Sequence, residues 1–152
     1  MSITDTTATA QTESIAFEFD LQHSPERVWQ ALTDPVLLKE WLLPVFDLEL
    51  EPGAAFLFKR EPMPGWDGTV NCRLLEVEAP RKLSYSWVVG EPDSEFFLDT
   101  VVTFTLTPSA SGTRLNLLQA GFKPHQKQNF AGARYGWTMM GQKLVDLLAR
   151  IE

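Results

Sequence analysis

Between Val45 and Ala120 the sequence alternates apolar and polar residues at a period of two, and many of the apolar positions are aromatic. This pattern is typical of antiparallel strands with one buried and one solvated face. From Tyr135 onward apolar residues recur instead at three- and four-residue steps, which predicts one amphipathic helix. The helical stripe consists of Trp137, Met140, Gly141, Leu144, Leu148 and Ile151. One long helix against one broad sheet can enclose a pocket, so a binding cavity is the first functional hypothesis.

Length and charge restrict the classes of partner. The chain has 152 residues, which fits one domain. Its net charge of −7 argues against nucleic acid and anionic membranes, because no basic cluster is present to neutralise phosphate. No apolar run reaches the length of a membrane span, and the N-terminus does not resemble a signal peptide. We therefore expect a soluble cytoplasmic protein, monomeric or homodimeric, whose partner is a small apolar or aromatic ligand.

Residues that carry reactive side chains are few and scattered. Cys72 is the single cysteine, and the pattern favours a buried, inert thiol over a nucleophile. Neither His23 nor His125 has a second histidine or a carboxylate at metal-binding spacing, which favours solvated imidazoles. Asp67 precedes a glycine, so a turn is favoured over a catalytic carboxylate. We expect no cofactor, no metal and no catalytic residue of these types.

The N-terminal half begins with a segment that lacks periodicity. Residues 1–14 are rich in Thr, Ala, Gln and Ser and are predicted to be a disordered tail, which leaves residues 15–152 as the folded domain. Residues 15–21 alternate and predict the first strand. Ser24-Pro25 and Asp34-Pro35 each place a capping side chain before a proline, so they predict two short helices in tandem.

Six further strands and a long helix are predicted after the two short helices. The strands are expected near residues 46–50, 56–58, 68–77, 83–87, 102–106 and 115–117. The pair Leu74-Leu75 interrupts the alternation and predicts a β-bulge. The last helix is expected from about Gln128 to Arg150. The fold class is therefore α+β, with a curved seven-stranded antiparallel sheet around the C-terminal helix.

Five groups of residues also resemble a known family in their order and spacing. They are PERVWQALTDP at 25–35 followed by Trp41, EAPRKLSYSW at 78–87, VTFTL at 102–106 with GTRL at 112–115, AGF at 120–122, and GW at 136–137. Together they resemble the START-like (SRPBCC) superfamily, in the branch named after the C-terminal domain of the activator of heat-shock protein 90 ATPase. The resemblance implies a helix-grip fold, with an internal cavity that other members use for lipids, hormones, polyketides and other apolar molecules.

Eleven residues on the predicted inward faces are candidates for the wall of that cavity. They are Phe56, Phe58, Cys72, Arg73, Tyr85, Trp87, Phe104, Tyr135, Trp137, Met140 and Leu144. The aromatic members could equally form solid core, since large rings dominate core packing. Arg73 could anchor a ligand oxygen if it pointed inward, although an outward, solvated side chain is the commoner arrangement.

Three functions remain open on the sequence. The first is binding of a small apolar or aromatic ligand without catalysis. The second is an enzyme of cyclase or hydrolase type acting on a polyketide-like or aromatic molecule, with Asp67, Arg73 and Tyr85 as its polar groups. The third is a stress-response protein that binds a chaperone or regulator through its acidic surface.

Overall fold

All strands of the structure belong to one antiparallel sheet. Within residues 2–7, 13–64, 66–94 and 97–151, which the computed structural model describes, there are eight strands and three helices. The strands are β1 (Ser2–Asp5), β2 (Ser14–Leu21), β3 (Val45–Phe46), β4 (Ala55–Lys59), β5 (Thr69–Glu78), β6 (Lys82–Val89), β7 (Leu98–Ser109) and β8 (Gly112–Ala120). The helices are α1 (Pro25–Thr33), α2 (Pro35–Trp41) and α3 (Lys127–Arg150). In the sheet the strands are ordered β1-β2-β8-β7-β6-β5-β4-β3.

The two short helices carry the chain from one side of the sheet to the other. β2 lies next to the β1 edge, whereas β3 forms the opposite edge, so α1 and α2 span the distance between them across one face. Both helices begin as the sequence predicts. The Ser24 side chain accepts a hydrogen bond from the backbone N–H of Arg27 at 3.2 Å, and Asp34 Oδ1 accepts one from Val36 at 2.9 Å.

The structure has one strand more than the sequence predicts. β1 lies within the segment expected to be a disordered tail and pairs antiparallel with β2. Arg134 Nε of α3 donates a hydrogen bond to Asp5 Oδ2 at 2.6 Å, which ties the new strand to the long helix. Residues 8–12 of the expected tail lie outside the described part of the chain.

A second difference concerns the strand expected near residues 46–50. β3 ends at Phe46, because Asp47 has a φ of 64° and turns the backbone into the left-handed region, where a strand cannot continue. Leu48 and Leu50 therefore belong to a loop between β3 and β4, which we call the β3–β4 loop (residues 47–54). The bulge predicted at Leu74-Leu75 is confirmed by a register shift between Leu74 and Glu76.

The core lies between the sheet and all three helices. Along most of β2, β4, β5, β6, β7 and β8, every second side chain is buried on this face. The middle of α3 approaches β1 and β2 closely, since Gly141 has no side chain there. A Cβ atom at this position would meet the end of the Ile3 side chain and come within 3.0 Å of Phe19 Cζ.

A chain of buried hydrogen bonds joins α3 to three strands. Trp137 Nε1 donates to Gln119 Oε1 at 2.7 Å, and Gln119 Nε2 donates to Thr100 Oγ1 at 2.9 Å. Thr100 Oγ1 in turn donates to the carbonyl oxygen of Trp87 at 3.0 Å. Gln119 and Thr100 are each 1% exposed. This Trp137–Gln119–Thr100 relay therefore fixes the position of α3 on β8, β7 and β6.

We expect substitution of Gln119, the central residue of the relay, to destabilise the protein. Gln119→Leu leaves the Trp137 N–H buried without its acceptor, so we expect the free energy of unfolding to fall by about 1–3 kcal/mol in denaturant melts. The double variant Gln119→Leu/Trp137→Phe should lose clearly less than the sum of the two single losses, because the orphaned donor is then absent. If the loss of unfolding free energy in the double variant equals the sum of the two single losses, the hydrogen bond between Trp137 and Gln119 does not couple the two residues.

Two glycines of α3 provide a matched test of the close approach to β1. Gly132→Ala and Gly141→Ala gain the same helix propensity, but a Cβ atom at Gly132 meets no atom within 4 Å. We expect Gly141→Ala to be less stable than Gly132→Ala by about 1–3 kcal/mol, owing to overpacking against Ile3 and Phe19. Equal melting curves for the two variants would show that β1 does not dock beneath α3.

Candidate functional site

Most of the space between sheet and helices is filled by one continuous aromatic cluster. Its ring centroids are separated by 5.2 Å for Phe56–Tyr85, 5.5 Å for Phe58–Trp87 and 5.7 Å for Trp87–Trp137. Phe104 continues it, at 6.2 Å from both Tyr85 and Trp137. Rings at these separations are in direct contact. The layer beneath the middle of α3 is therefore packed solid.

An enclosed space remains at one end of this cluster, away from α3. Its volume is about 10 Å³, close to that of one water-sized probe. It lies between strands β4, β5 and β6, the helices α1 and α2, and the β3–β4 loop. The lining residues are Leu32, Leu38, Leu48, Leu50, Phe56, Phe58, Leu74, Leu83 and Tyr85.

Tyr85 supplies the one polar side chain of this lining. The residue is 2% exposed, and no hydrogen bond among the described residues involves its hydroxyl group. Burial raises the pKa of this hydroxyl well above its ordinary value, and the proximity of the ionisable Cys72 thiol adds to the shift. The hydroxyl therefore stays neutral and able to donate. The Tyr85 hydroxyl therefore differs from the buried Thr100 and Gln119 side chains, which are hydrogen-bonded within the protein.

Cys72 lies beside this space on β5 and is not activated. Its Sγ atom is 3.8 Å from the carbonyl oxygen of Val70, and burial raises the pKa of the thiol far above its ordinary value. A thiolate, the reactive form, is thus strongly disfavoured. The sequence-based interpretation of a buried thiol agrees with this geometry.

The structure brings together some of the eleven candidate residues and separates others. Phe56, Phe58 and Tyr85 line the enclosed space. The remaining buried candidates, namely Cys72, Trp87, Phe104, Trp137 and Leu144, belong to the surrounding core. Met140 is partly buried and packs against the edge of that core.

Two candidates point away from the interior. Tyr135 is 68% exposed, because a residue two positions before Trp137 on a helix lies about 200° around from it. Arg73 is exposed on the outer face of β5, where its Nη1 atom donates to the carbonyl oxygen of Gly53 at 2.6 Å. An odd position in a strand whose even positions are buried must face outward. Arg73 therefore holds the β3–β4 loop and does not anchor a ligand inside.

Six leucines of the lining were not among the sequence candidates. They are Leu32, Leu38, Leu48, Leu50, Leu74 and Leu83. The available signal was the apolar face of the two short helices. A helix pair inserted between two edges of one sheet must cover a face of that sheet, and Leu32 and Leu38 are the helical residues that do so here.

Polar groups that could support catalysis do not converge on this space. Asp67 lies in an exposed turn, where its Oδ1 atom accepts a hydrogen bond from the backbone N–H of Thr69 at 2.9 Å. That bond is the main reason that the pKa of its carboxyl is lowered. Asp67, Arg73 and Tyr85 therefore occupy separate environments.

Neither a cluster of metal ligands nor a membrane-spanning helix occurs among the described residues. Among them, no group of three or more His, Cys, Asp or Glu side chains could hold a metal ion. Of the helices α1, α2 and α3, none has both the length and the apolar character needed to cross a membrane.

Solved structures with the same fold include close and distant relatives. Mll2253 from Mesorhizobium loti is 39% identical, with a TM-score of 0.83 over 91% of this chain and 98% of that chain. CalU16 from Micromonospora echinospora is 25% identical, with a TM-score of 0.72 over 98% of this chain and 85% of that chain. DynU16, a protein of the dynemicin biosynthetic locus, is 20% identical, with a TM-score of 0.73 over 91% of this chain and 48% of that chain, and shares the fold alone.

The family assignment rests on a match along most of the sequence. A search of curated proteins gave no match. The model of one family matches residues 22–149, a range that contains both short helices, strands β3 to β8 and nearly all of α3. The segments that resemble the START-like superfamily all lie within this range. The chain therefore belongs to the family described as activator of Hsp90 ATPase homolog 1-like proteins.

Proposed function

We propose that the protein binds one small apolar or aromatic molecule in the space between β4, β5, β6, the short helices and the β3–β4 loop. The observation that carries the proposal is an enclosed space with a wholly apolar lining, apart from one buried hydroxyl. Ligand pockets have this character, with mainly hydrophobic walls and few polar groups. The START-like fold, which uses its interior for apolar ligands, supports the same function.

Binding requires the space to expand, because about 10 Å³ is far below the roughly 300 Å³ or more of ordinary ligand pockets. The walls from β4, β5 and β6 belong to a continuous hydrogen-bonded sheet. The β3–β4 loop is the wall that can move at the lowest cost, since Leu50 is 42% exposed and Leu48 is partly buried. Ligand binding would then favour a minor, open state of the loop.

Three hydrogen bonds hold the loop closed against the sheet. Gly53 N donates to the carbonyl oxygen of Leu74 at 2.7 Å, and Leu74 N donates to that of Ala54 at 2.9 Å. The third is the 2.6 Å bond from Arg73 Nη1 to the carbonyl oxygen of Gly53. The Arg73 bond is the exposed one, so it is the bond that a side-chain substitution can remove without disturbing the lining.

An enzymatic function receives less support from the geometry. The three polar groups that a cyclase or hydrolase would use, Asp67, Arg73 and Tyr85, face different environments, and Cys72 is held as a thiol. DynU16 belongs to a biosynthetic locus. At 20% identity the shared fold does not indicate that this protein takes part in biosynthesis. Binding without catalysis is therefore the function that we propose.

The location of the ligand can be tested by NMR on the unmodified chain. Titration of methyl-labelled protein with naphthalene should give saturable shifts at the methyl groups of Leu32, Leu74 and Leu83, which line the space. Leu147 and Leu148 are buried near the end of α3 and outside the lining, so their methyl groups serve as internal controls and should hardly move.

Two results would count against the proposed site. If no leucine methyl shifts in a saturable way with naphthalene or smaller aromatic compounds, the interior does not take such ligands. If Leu147 and Leu148 shift most, binding occurs under α3 and the site is misplaced.

The role of the loop is tested by association kinetics. Arg73→Gln removes the bond to Gly53, so we expect stopped-flow association of naphthalene to become about fivefold faster, the factor that corresponds to one net hydrogen bond of about 1 kcal/mol. Arg114→Gln is the matched control, since Arg114 is also exposed on the sheet and forms only a 3.6 Å ion pair with Glu18. Equal association rates for the two variants would show that the loop does not limit entry.

A further inference from the structure

The hydroxyl group of Tyr85 differs from the other buried polar groups of the core. The six buried Thr, Ser and Gln side chains in the described part of the chain are Thr7, Ser84, Thr100, Thr113, Gln119 and Gln126. Each of these side chains has a hydrogen-bond partner within the protein. Tyr85 is as deeply buried as these residues, yet no hydrogen bond among the described residues reaches its hydroxyl. Ser109 Oγ also lacks a partner, but it lies at the end of β7 and does not line the space.

No other side chain that lines the space can accept a hydrogen bond from the Tyr85 hydroxyl. Eight of the nine lining residues are Leu or Phe, which have neither donors nor acceptors. Three aromatic rings hold the Tyr85 ring itself, with centroids 5.2 Å away for Phe56, 6.1 Å for Phe58 and 6.2 Å for Phe104. The Tyr85 ring is therefore held on three sides, and its side chain carries the single hydrogen-bonding group of an otherwise apolar lining.

We propose that the Tyr85 hydroxyl determines ligand specificity by donating a hydrogen bond to a carbonyl oxygen, so that the ligand is a small apolar or aromatic ketone. This inference rests on the proposed function of the same site. A neutral phenol donates one proton and needs one acceptor. A carbonyl oxygen provides that acceptor on an otherwise apolar skeleton, which suits the Leu and Phe lining. A carboxylate is disfavoured, because no cationic side chain lines the space to offset its desolvation.

Matched ligands separate this inference from the proposed function. Acetophenone and ethylbenzene have nearly the same shape, and the first carries the carbonyl oxygen that the second lacks. Their dissociation constants should be measured for the unmodified chain, for Tyr85→Phe and for Tyr135→Phe. Tyr135 is the other tyrosine of the chain and is exposed, so its variant removes the same atom at a site outside the interior.

The expected result is a selective loss in one variant. Tyr85→Phe should lower the affinity for acetophenone about tenfold relative to that for ethylbenzene, the factor expected for one hydrogen bond in a buried site. Tyr135→Phe should leave the ratio of the two affinities unchanged. If both ligands bind the unmodified chain and the ratio is the same in Tyr85→Phe, the role of Tyr85 is wrong and the proposed function stands. If neither ligand binds the unmodified chain, the proposed function fails and this inference fails with it.

A spectroscopic measurement on the unmodified chain makes the outcome independent of how well Tyr85→Phe folds. The infrared carbonyl stretch of ¹³C-labelled acetophenone falls in frequency when the oxygen accepts a hydrogen bond. Bound to the protein, the band should lie below its position in a hydrocarbon solvent. A bound band at the hydrocarbon position would overturn the inference.

Discussion

The position of α3 depends on a buried polar contact in the middle of the hydrophobic core. Apolar packing alone would let a smooth helix slide or rotate over the sheet, because hydrophobic burial has no direction. The bond from Trp137 to Gln119, continued to Thr100 at 2.9 Å, restricts the helix to one depth and one rotation. With α3 fixed in this way, the Trp137 ring closes the aromatic cluster against Trp87, and the remaining space is confined to the side of α1 and α2. The location of the candidate site is thus a consequence of the relay.

The relay and the candidate site use buried polar groups in opposite ways. In the relay each donor meets an acceptor within the protein, which is the usual condition of a stable core. At Tyr85 the protein keeps a donor without such a partner in a comparably buried position. A stability requirement alone favours phenylalanine there, since Phe would retain the ring contacts and remove an unsatisfied group. Under the proposed function, the partner of this hydroxyl is the bound ligand.

Features set by neighbouring residues were predictable from the sequence, whereas features set by distant contacts were not. The caps at Ser24 and Asp34 and the bulge after Leu74 follow from local chemistry. β1 depends on the gap at Gly141 and on an ion pair between residues 129 positions apart, which no local pattern contains. The same limit applies to the site. Alternation correctly places Trp87 and Trp137 on facing surfaces, but it does not tell whether their rings touch, and at 5.7 Å they do.

The strand order also has consequences for the route by which the chain folds. β2 pairs with β8 in a register that places Ser14 opposite Ala120, so β2, whose other neighbour is the short strand β1, joins the rest of the sheet only when the last strand is present. Until then β2 can pair only with β1, and α3, which follows β8 in the chain, has not yet supplied Trp137. Contacts of such long sequence separation slow folding, because a large loop must close before they form. During synthesis the core of this protein can close only after β8 and α3 have been made, so the apolar faces of the earlier strands stay uncovered until then.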